Sequence, residues 1–291
     1  MSAKDKRPIV LLGYPLEHSL SPLIHNTAFE SQHLDLEYHL YPVHPANLGK
    51  ALRSLVSQGL VGANVTVPHK ESVVHLLDET SDVVQTIGAA NTISCRPAGD
   101  RVKLVGDNSD VDGFVAPIWQ MLPELTDRQV LIFGSGGAAR AVGFAVTKYA
   151  RPKRVVIAAR TSETGMRLAN LLLGQHPRCT VDFVRLDRAG PEIRRSTLLI
   201  NTTPLGMKSN AEASIWTEER DFHSEQIVYD LVYWPLETRL VRMARQRGAR
   251  TQGGLEMLIS QAALSYAIWT GRKMPIDLVR ERLHKHFETA R

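Results

Sequence analysis

Val130-Leu131-Ile132-Phe133-Gly134-Ser135-Gly136-Gly137-Ala138-Ala139-Arg140 is the stretch whose reading decides the fold. An apolar run of strand length ends in glycines and continues into an apolar helical segment, so it predicts a buried strand, a tight turn and a helix N-terminus. The glycines fit G-x-G-x-x-A. Gly134 permits the turn, Gly136 lets the backbone approach a pyrophosphate, and Ala139 lets the helix pack close. Ser135, Gly137 and Ala138 complete a loop whose N–H groups and helix dipole favour an anion. The pattern alone also suits an ordinary βα turn; with the next strand falling where it should, a dinucleotide site is the better reading.

The choice of dinucleotide is made about twenty residues further on, at the end of the second strand, where an Asp or Glu hydrogen-bonds the ribose of NAD. This chain has Ala158-Ala159-Arg160-Thr161 there. No carboxylate repels a 2′-phosphate and Arg160 can pair with one, which points to NADP. The plainer alternative for Arg160 is a solvated residue after a strand.

Outward from this turn, short β-branched runs alternate with longer amphipathic stretches, the pattern of a parallel α/β architecture. Strands are predicted at Ile9–Leu12, Leu36–Tyr41, Ala63–Val67, Val130–Phe133, Val155–Ala158, Val181–Val184, Leu198–Asn201 and Ile227–Leu231. Pro97, Ala98, Gly99 and Asp100 read as the turn of a hairpin between Ile93 and Val105. Ser21-Pro22 reads as an N-cap followed by a first-turn proline, and Gly59, Gly248 and Gly271 stand where helices stop. With 291 residues, 43% of them hydrophobic, the chain exceeds the usual single domain.

The bulk composition excludes several classes. Cys95 and Cys179 are too few and too isolated for a disulfide framework or a Cys-rich zinc site, and suit a reducing compartment. A polar start followed by a short apolar run matches neither a secretory leader nor a membrane span, so a cytoplasmic protein with no membrane partner is expected. The formal charge of +5 is scattered among acids, which argues against nucleic acid and is equally explained by small anionic ligands.

Further motifs lie on both sides of the glycine turn. Before it come Gly13-Tyr14-Pro15-Leu16-Glu17-His18-Ser19-Leu20-Ser21-Pro22 with His25-Asn26, then Asn64-Val65-Thr66-Val67-Pro68-His69-Lys70, Gly88-Ala89-Ala90-Asn91-Thr92 and Asn108-Ser109-Asp110-Val111-Asp112-Gly113-Phe114. After it come Asn201-Thr202-Thr203-Pro204-Leu205-Gly206-Met207, Tyr229-Asp230-Leu231-Val232-Tyr233 and Gly253-Gly254-Leu255-Glu256-Met257-Leu258-Ile259-Ser260-Gln261-Ala262. In this order, over nearly the whole chain, they resemble the shikimate dehydrogenase family.

The resemblance implies reversible reduction of 3-dehydroshikimate to shikimate with NADPH. It implies that Ser19 and Ser21 hold the substrate carboxylate, that Thr66, Lys70, Asn91, Asp110 and Gln261 surround the ring hydroxyls, and that Tyr233 lies beside them. Lys70 is the candidate for proton transfer, on a helical stretch that it opens after Pro68, with Asp110 orienting it. Thr161, Thr203, Leu231 and Gly254 join the dinucleotide contacts. The implied fold is a two-domain α/β protein. An N-terminal α/β substrate domain (1–110) is completed by C-terminal helices (253–291), and a Rossmann-type NADP-binding domain spans 111–252. No metal is required, since hydride chemistry belongs to the nicotinamide. A monomer or a homodimer is equally compatible.

Plainer readings stay open. Asp110 or Asp112 caps helices well, Met257 is a packing residue, and His18, His25 and His69 have no metal-ligand spacing and read as structural or site-lining. Two departures from the family pattern stand out. Ser109 replaces the usual Thr and keeps the hydroxyl. At the cofactor edge, family members commonly show Asn-Arg-Thr with a basic residue three positions later, whereas this chain has Ala159-Arg160-Thr161 and Thr164, with Arg167 the candidate substitute one turn on. The rivals are a quinate or dual-specificity dehydrogenase and an NADPH-binding redox sensor without turnover.

Overall fold

The computed structural model describes residues 6–16, 19–174 and 178–289. The chain divides into two compact units, Met1–Ser109 with Ile259–Arg291, and Asp110–Leu258. The second crossing between them falls inside a helix instead of at 252/253.

The first unit begins β1 (Arg7–Gly13), α1 (Ser21–Ser31), β2 (Leu36–Pro42), α2 (Leu48–Ser57), β3 (Gly62–Val65) and β4 (Glu79–Thr80). It continues α3 (Asp82–Ile87), β5 (Thr92–Ala98) and β6 (Arg101–Asp107). Its sheet runs β2-β1-β3-β5-β6-β4. β1 is parallel to both neighbours, and β5 is antiparallel to both of its own. Five successive buried residues at the end of β1 match a strand covered on both faces. Val10 and Leu12 meet Leu48, Leu52 and Leu55, the buried stripe of α2 at helical spacing. The hairpin turn is Gly99-Asp100 alone, because Pro97 and Ala98 still pair with Val102 and Arg101. Gly99 adopts φ +65°, which the tight turn demands.

Two further expectations are corrected. β3 ends at Val65, not Val67: Val67 is exposed and its carbonyl accepts from Tyr14 N instead of a sheet partner. Ser21 is the first residue of α1 and Leu20 occupies the cap position, with no side-chain cap bond.

The second unit contains α4 (Asp110–Val115), β7 (Gln129–Phe133), α5 (Gly137–Ala145), β8 (Arg154–Ala159), α6 (Ser162–Leu173) and β9 (Thr180–Arg185). α7 (Gly190–Arg195), β10 (Leu198–Asn201), β11 (Ile227–Asp230), α8 (Arg239–Gln246) and β12 (Arg250–Gln252) follow. α9 (Leu255–Thr270) starts in this unit and runs into the first, where α10 (Ile276–Thr289) follows. The sheet order β12-β11-β10-β7-β8-β9 is parallel throughout and reverses direction at β7 and β10. Ligands of such doubly wound sheets bind at the carboxyl ends of the strands beside that switch point. Among the described residues, no helix is long and apolar enough to cross a membrane.

The carboxyl ends of β10 and β11 are locked by a buried knot. Asp230 Oδ1 accepts from Asn201 Nδ2 (2.9 Å) and from Val232 N (3.0 Å), and Oδ2 accepts from the Thr238 hydroxyl (2.6 Å). Burial nevertheless raises the Asp230 carboxyl to about 6, against the opposing effect of these bonds. A folded-state value above the unfolded one means that the folded protein binds the extra proton. The charge therefore costs stability fully above pH 6, and that cost is relieved as pH falls toward the unfolded value.

Asp230→Asn removes this titration. We expect the stability difference between wild type and variant, measured by urea unfolding, to move in favour of the wild type by about 1 kcal/mol from pH 7 to pH 5. A difference that stays flat over this range would show that Asp230 does not carry the raised value.

Candidate active site

In the first unit Ser19, Ser21, Asn91 and Gln261 are joined by a continuous polar chain. Ser19 Oγ donates to Ser21 Oγ at 3.2 Å, and the Ser21 hydroxyl hydrogen-bonds the buried Tyr38 phenol. Tyr38 in turn donates to Asn64 Oδ1 at 2.8 Å. Asn64 Nδ2 donates to the Asn91 carbonyl (3.1 Å) and to Ser265 Oγ (3.0 Å). Asn91 Oδ1 accepts from Ser109 N (2.8 Å) and its Nδ2 donates to Ser109 Oγ (2.9 Å), which also reaches Gln261 Oε1 at 3.5 Å. Ser19, Ser21, Asn91 and Gln261 thus hang on one framework.

Backbone bonds place the other two residues of this unit. Lys70 O accepts from Ala90 N at 2.8 Å, next to Asn91, and Thr66 N donates to Leu12 O at 2.8 Å. A Cβ at Gly13 would lie 2.4 Å from the Thr66 methyl, so only glycine leaves room for Thr66 there. Lys70 does not open an α-helix: it lies in a turn ahead of a five-residue 3-10 segment, Ser72–Leu76. The Lys70 carbonyl is taken by Ala90 N, so Val74 N bonds Glu71 O three residues back and the segment continues as a 3-10 turn.

The histidines of these motifs are packing groups. His25 is wholly buried and stacked on Tyr38, 4.5 Å between ring centroids, and burial lowers it to about 3, so the ring is neutral. His69 Nε2 donates to Val43 O at 2.7 Å. His18 lies outside the described residues. Burial raises the Cys95 thiol to about 11, which removes it as a nucleophile.

The remaining candidates belong to the second unit. Asp110 is buried and opens α4, and Tyr149 OH donates to Asp112 Oδ1 at 2.9 Å. Burial raises the Tyr233 phenol, which keeps it a neutral donor. After β7, Gly134 adopts φ +107°. A Cβ on it would lie 2.6 Å from Thr202 Oγ1 and 3.1 Å from the Thr203 methyl, so only glycine fits between the β7 and β10 loops. Gly136, in contrast, faces open space and precedes α5, leaving a free approach to its backbone for a pyrophosphate.

Ala139 is fully buried where α5 meets the sheet. Thr203 is fixed through its hydroxyl to Asn201 Oδ1 at 2.7 Å. Leu231 N donates to Asn201 O, and a Cβ on Gly254 would lie 2.1 Å from Leu231 O, so Thr203, Leu231 and Gly254 gather at the ends of β10 and β11. Together these features fit a dinucleotide: an open glycine turn at a helix N-terminus beside the switch point.

Arg160 stands at the end of β8, exposed and without an ion-pair partner among the described residues. Thr164 turns away from it, its hydroxyl 2.9 Å from Ser135 Oγ, which ties α6 to the glycine loop. Arg167, the candidate substitute one turn on, pairs with Glu163 at 2.6 Å, and both side chains are exposed.

Asn64, Thr92, Ser265 and Tyr38 carry the framework, and the motif reading gave them no role. Their signal was there: an Asn in a strand whose four residues are all buried is a polar group that must find partners. The Asn201–Asp230–Thr238 knot was missed for want of any local spacing.

The model of the shikimate dehydrogenase substrate-binding domain matches residues 11–93, and that of the shikimate 5′-dehydrogenase C-terminal domain matches residues 254–284. A relative from Salinibacter ruber, named shikimate dehydrogenase (NADP+), is 42% identical over 277 residues, covering 94% of this chain and 96% of its own. Among solved structures, a shikimate dehydrogenase in complex with NADP+ superposes with a TM-score of 0.85 at 34% identity, covering 97% of this chain and 96% of that one. A shikimate 5-dehydrogenase from Thermus thermophilus in complex with NADP(H) and shikimate gives 0.80 at 33% identity, covering 96% and 99%. Similarity of this depth over both units is a property of common descent, and the chain belongs to the shikimate dehydrogenase family.

Proposed function

We propose that this chain catalyses the reversible, NADP-dependent oxidation of shikimate to 3-dehydroshikimate. The observation that carries the reading, beside family membership, is the hydrogen-bonded framework from Ser19 to Gln261, which orders polar side chains suited to a small polyhydroxylated acid. The nicotinamide of NADP supplies the hydride chemistry. Everything else falls to the protein.

Ser19 and Ser21, 3.2 Å apart at their hydroxyls, bind the carboxylate by turning their O–H donors from their present partners to the anion. Thr66, Asn91 and Gln261 bind ring hydroxyls, and Tyr233 adds a phenol donor. In the oxidative direction the Lys70 amine takes the carbinol proton as the C–H bond breaks, and in reverse the ammonium returns it to the developing alkoxide. Asp110 accepts a hydrogen bond from an N–H of the Lys70 amine, which aims the amine lone pair at that hydroxyl. Gly134 to Ala138 hold the pyrophosphate, while Thr203, Leu231 and Gly254 shape the nicotinamide end. Arg160, with Thr161 beside it, takes the 2′-phosphate. The chain works in the cytoplasm as a monomer or homodimer on this small-molecule substrate.

Initial rates at the reduced-nicotinamide band, with shikimate or quinate against NADP+ or NAD+, test the assignment. The shikimate and NADP+ pair should give the largest kcat/KM, and Lys70→Ala should lower kcat by about 10²–10⁴-fold. Dominance of quinate or of NAD+ would overturn the substrate or cofactor assignment, and cofactor binding without any turnover would make the chain a sensor.

The carboxylate contact has its own test. Ser19→Ala and Ser21→Ala should each raise KM for shikimate about tenfold with little change in kcat, since a hydrogen bond to a charged group is lost. The methyl ester of shikimate should show much less of this sensitivity; equal sensitivity in acid and ester would remove the serines from the carboxylate.

A further inference from the structure

Beside Arg160, Ala159 is apolar and Thr164 is bonded to Ser135, while Arg167, one turn on, pairs with Glu163. A doubly charged phosphate held by one exposed arginine would be a weak determinant of cofactor choice. The parallel pairing of β8 with β9 brings up another cation.

Ala159 lies opposite Arg185, so Arg185 stands one position from Arg160 on the neighbouring strand, about 4.8 Å across the ladder. Phe183, two residues earlier on β9, packs under α6: a Cβ at Gly165 would lie 2.3 Å from its ring. Residues two apart on a strand share a face, so Arg185 emerges on the α6 side of the sheet, beside the first turn of α6.

The Arg185 guanidinium is already oriented. Its Nε and Nη2 donate to Asp187 Oδ1 and Oδ2, both at 3.1 Å. That fork leaves the opposite edge, Nη1 with the second N–H of Nη2, turned outward as a second two-pronged donor. Arg160, Arg185 and Asp187 line one cavity of about 390 Å³ together with Ser214, Trp216 and Thr217.

We propose that Arg185 is the second cation of the 2′-phosphate subsite, gripping with Arg160 the phosphate that distinguishes NADP from NAD, with Asp187 positioning its guanidinium. The two arginines supply opposite sides of the clamp, and the Asp187 charge is neutralised by the fork it holds. The inference rests on the dinucleotide reading above and concerns cofactor choice, not the substrate.

Calorimetric titration of the full chain with NADP+, NAD+ and 2′,5′-ADP tests it without reference to turnover. Arg185→Gln should raise the Kd for NADP+ and for 2′,5′-ADP about tenfold, the loss of a charge-assisted contact, and leave the NADP+ loss far larger than any for NAD+. Arg185→Lys should recover part of the affinity, since it keeps the charge and loses the fork. The side chain is 56% exposed, so the variants should fold, and their thermal melts check this.

Equal weakening of NADP+ and NAD+, or no weakening of either, overturns the proposal. If Arg160→Gln discriminates between the two and Arg185→Gln does not, the dinucleotide reading survives and the clamp falls. If the wild type binds none of the three probes, both fall together.

Discussion

The amide of Asn64 is the constraint on which the substrate-side framework depends. β3 is buried along its whole length, and a primary amide placed there has two donors and a two-lone-pair acceptor that water cannot reach. Left unmet, such groups cost the desolvation energy of each, so the surrounding chain must arrange itself to meet them. It does so with Tyr38 from β2, the Asn91 carbonyl and Thr92 at the start of β5, and Ser265 from α9. These partners come from three separate parts of the chain, β2, the start of β5 and α9. Their positions are therefore coupled, and each hands the constraint outward: Tyr38 to Ser21, Ser265 and Asn91 to Ser109. Buried networks of this kind, fully satisfied, set geometry more sharply than apolar contacts can.

The second unit applies the same logic with a different centre. Asp230 is a carboxylate at a strand end, held by Asn201, Thr238 and the Val232 amide, and burial still lifts its titration. The knot fixes the loops after β10 and β11, so Thr203 and Leu231 have fixed positions beside the glycine turn. Steric constraints finish the work. Thr202 donates to Phe133 O at 2.6 Å, and only the missing side chain of Gly134 allows that approach. The glycine turn is thus shaped from the β10 side as well as by its own φ.

Much of this was legible in the sequence, because the informative signals were local. The apolar run before Gly134, the spacing of Gly134, Gly136 and Ala139, and the stop signals at Gly59, Gly248 and Gly271 each depend on neighbours within a turn or two, and the structure has them where periodicity puts them. Errors arose where a local rule met a tertiary demand. Ser21 has the composition of a cap, yet its hydroxyl is taken by Ser19 and Tyr38, so the helix begins one residue early without it. Lys70 follows a proline as a helix start does, but its carbonyl is taken by Ala90 N from another segment, which leaves it in a turn. Ordered motifs named the residues around the site, but not Ser265 or Tyr38, which hold them.

Sheet register explains why the cofactor edge resisted reading from the sequence. Specificity for a phosphate is sought in residues that follow one strand, because a linear motif can only list neighbours in the chain. A parallel ladder makes other neighbours: the end of β9 lies beside the end of β8, although α6 and a loop separate them in sequence. A phosphate responds to where a guanidinium stands and to the edge it presents, not to the order of residues in the chain. The Arg185–Asp187 pair meets both conditions: its strand supplies the place, and the carboxylate two residues on determines which edge faces outward.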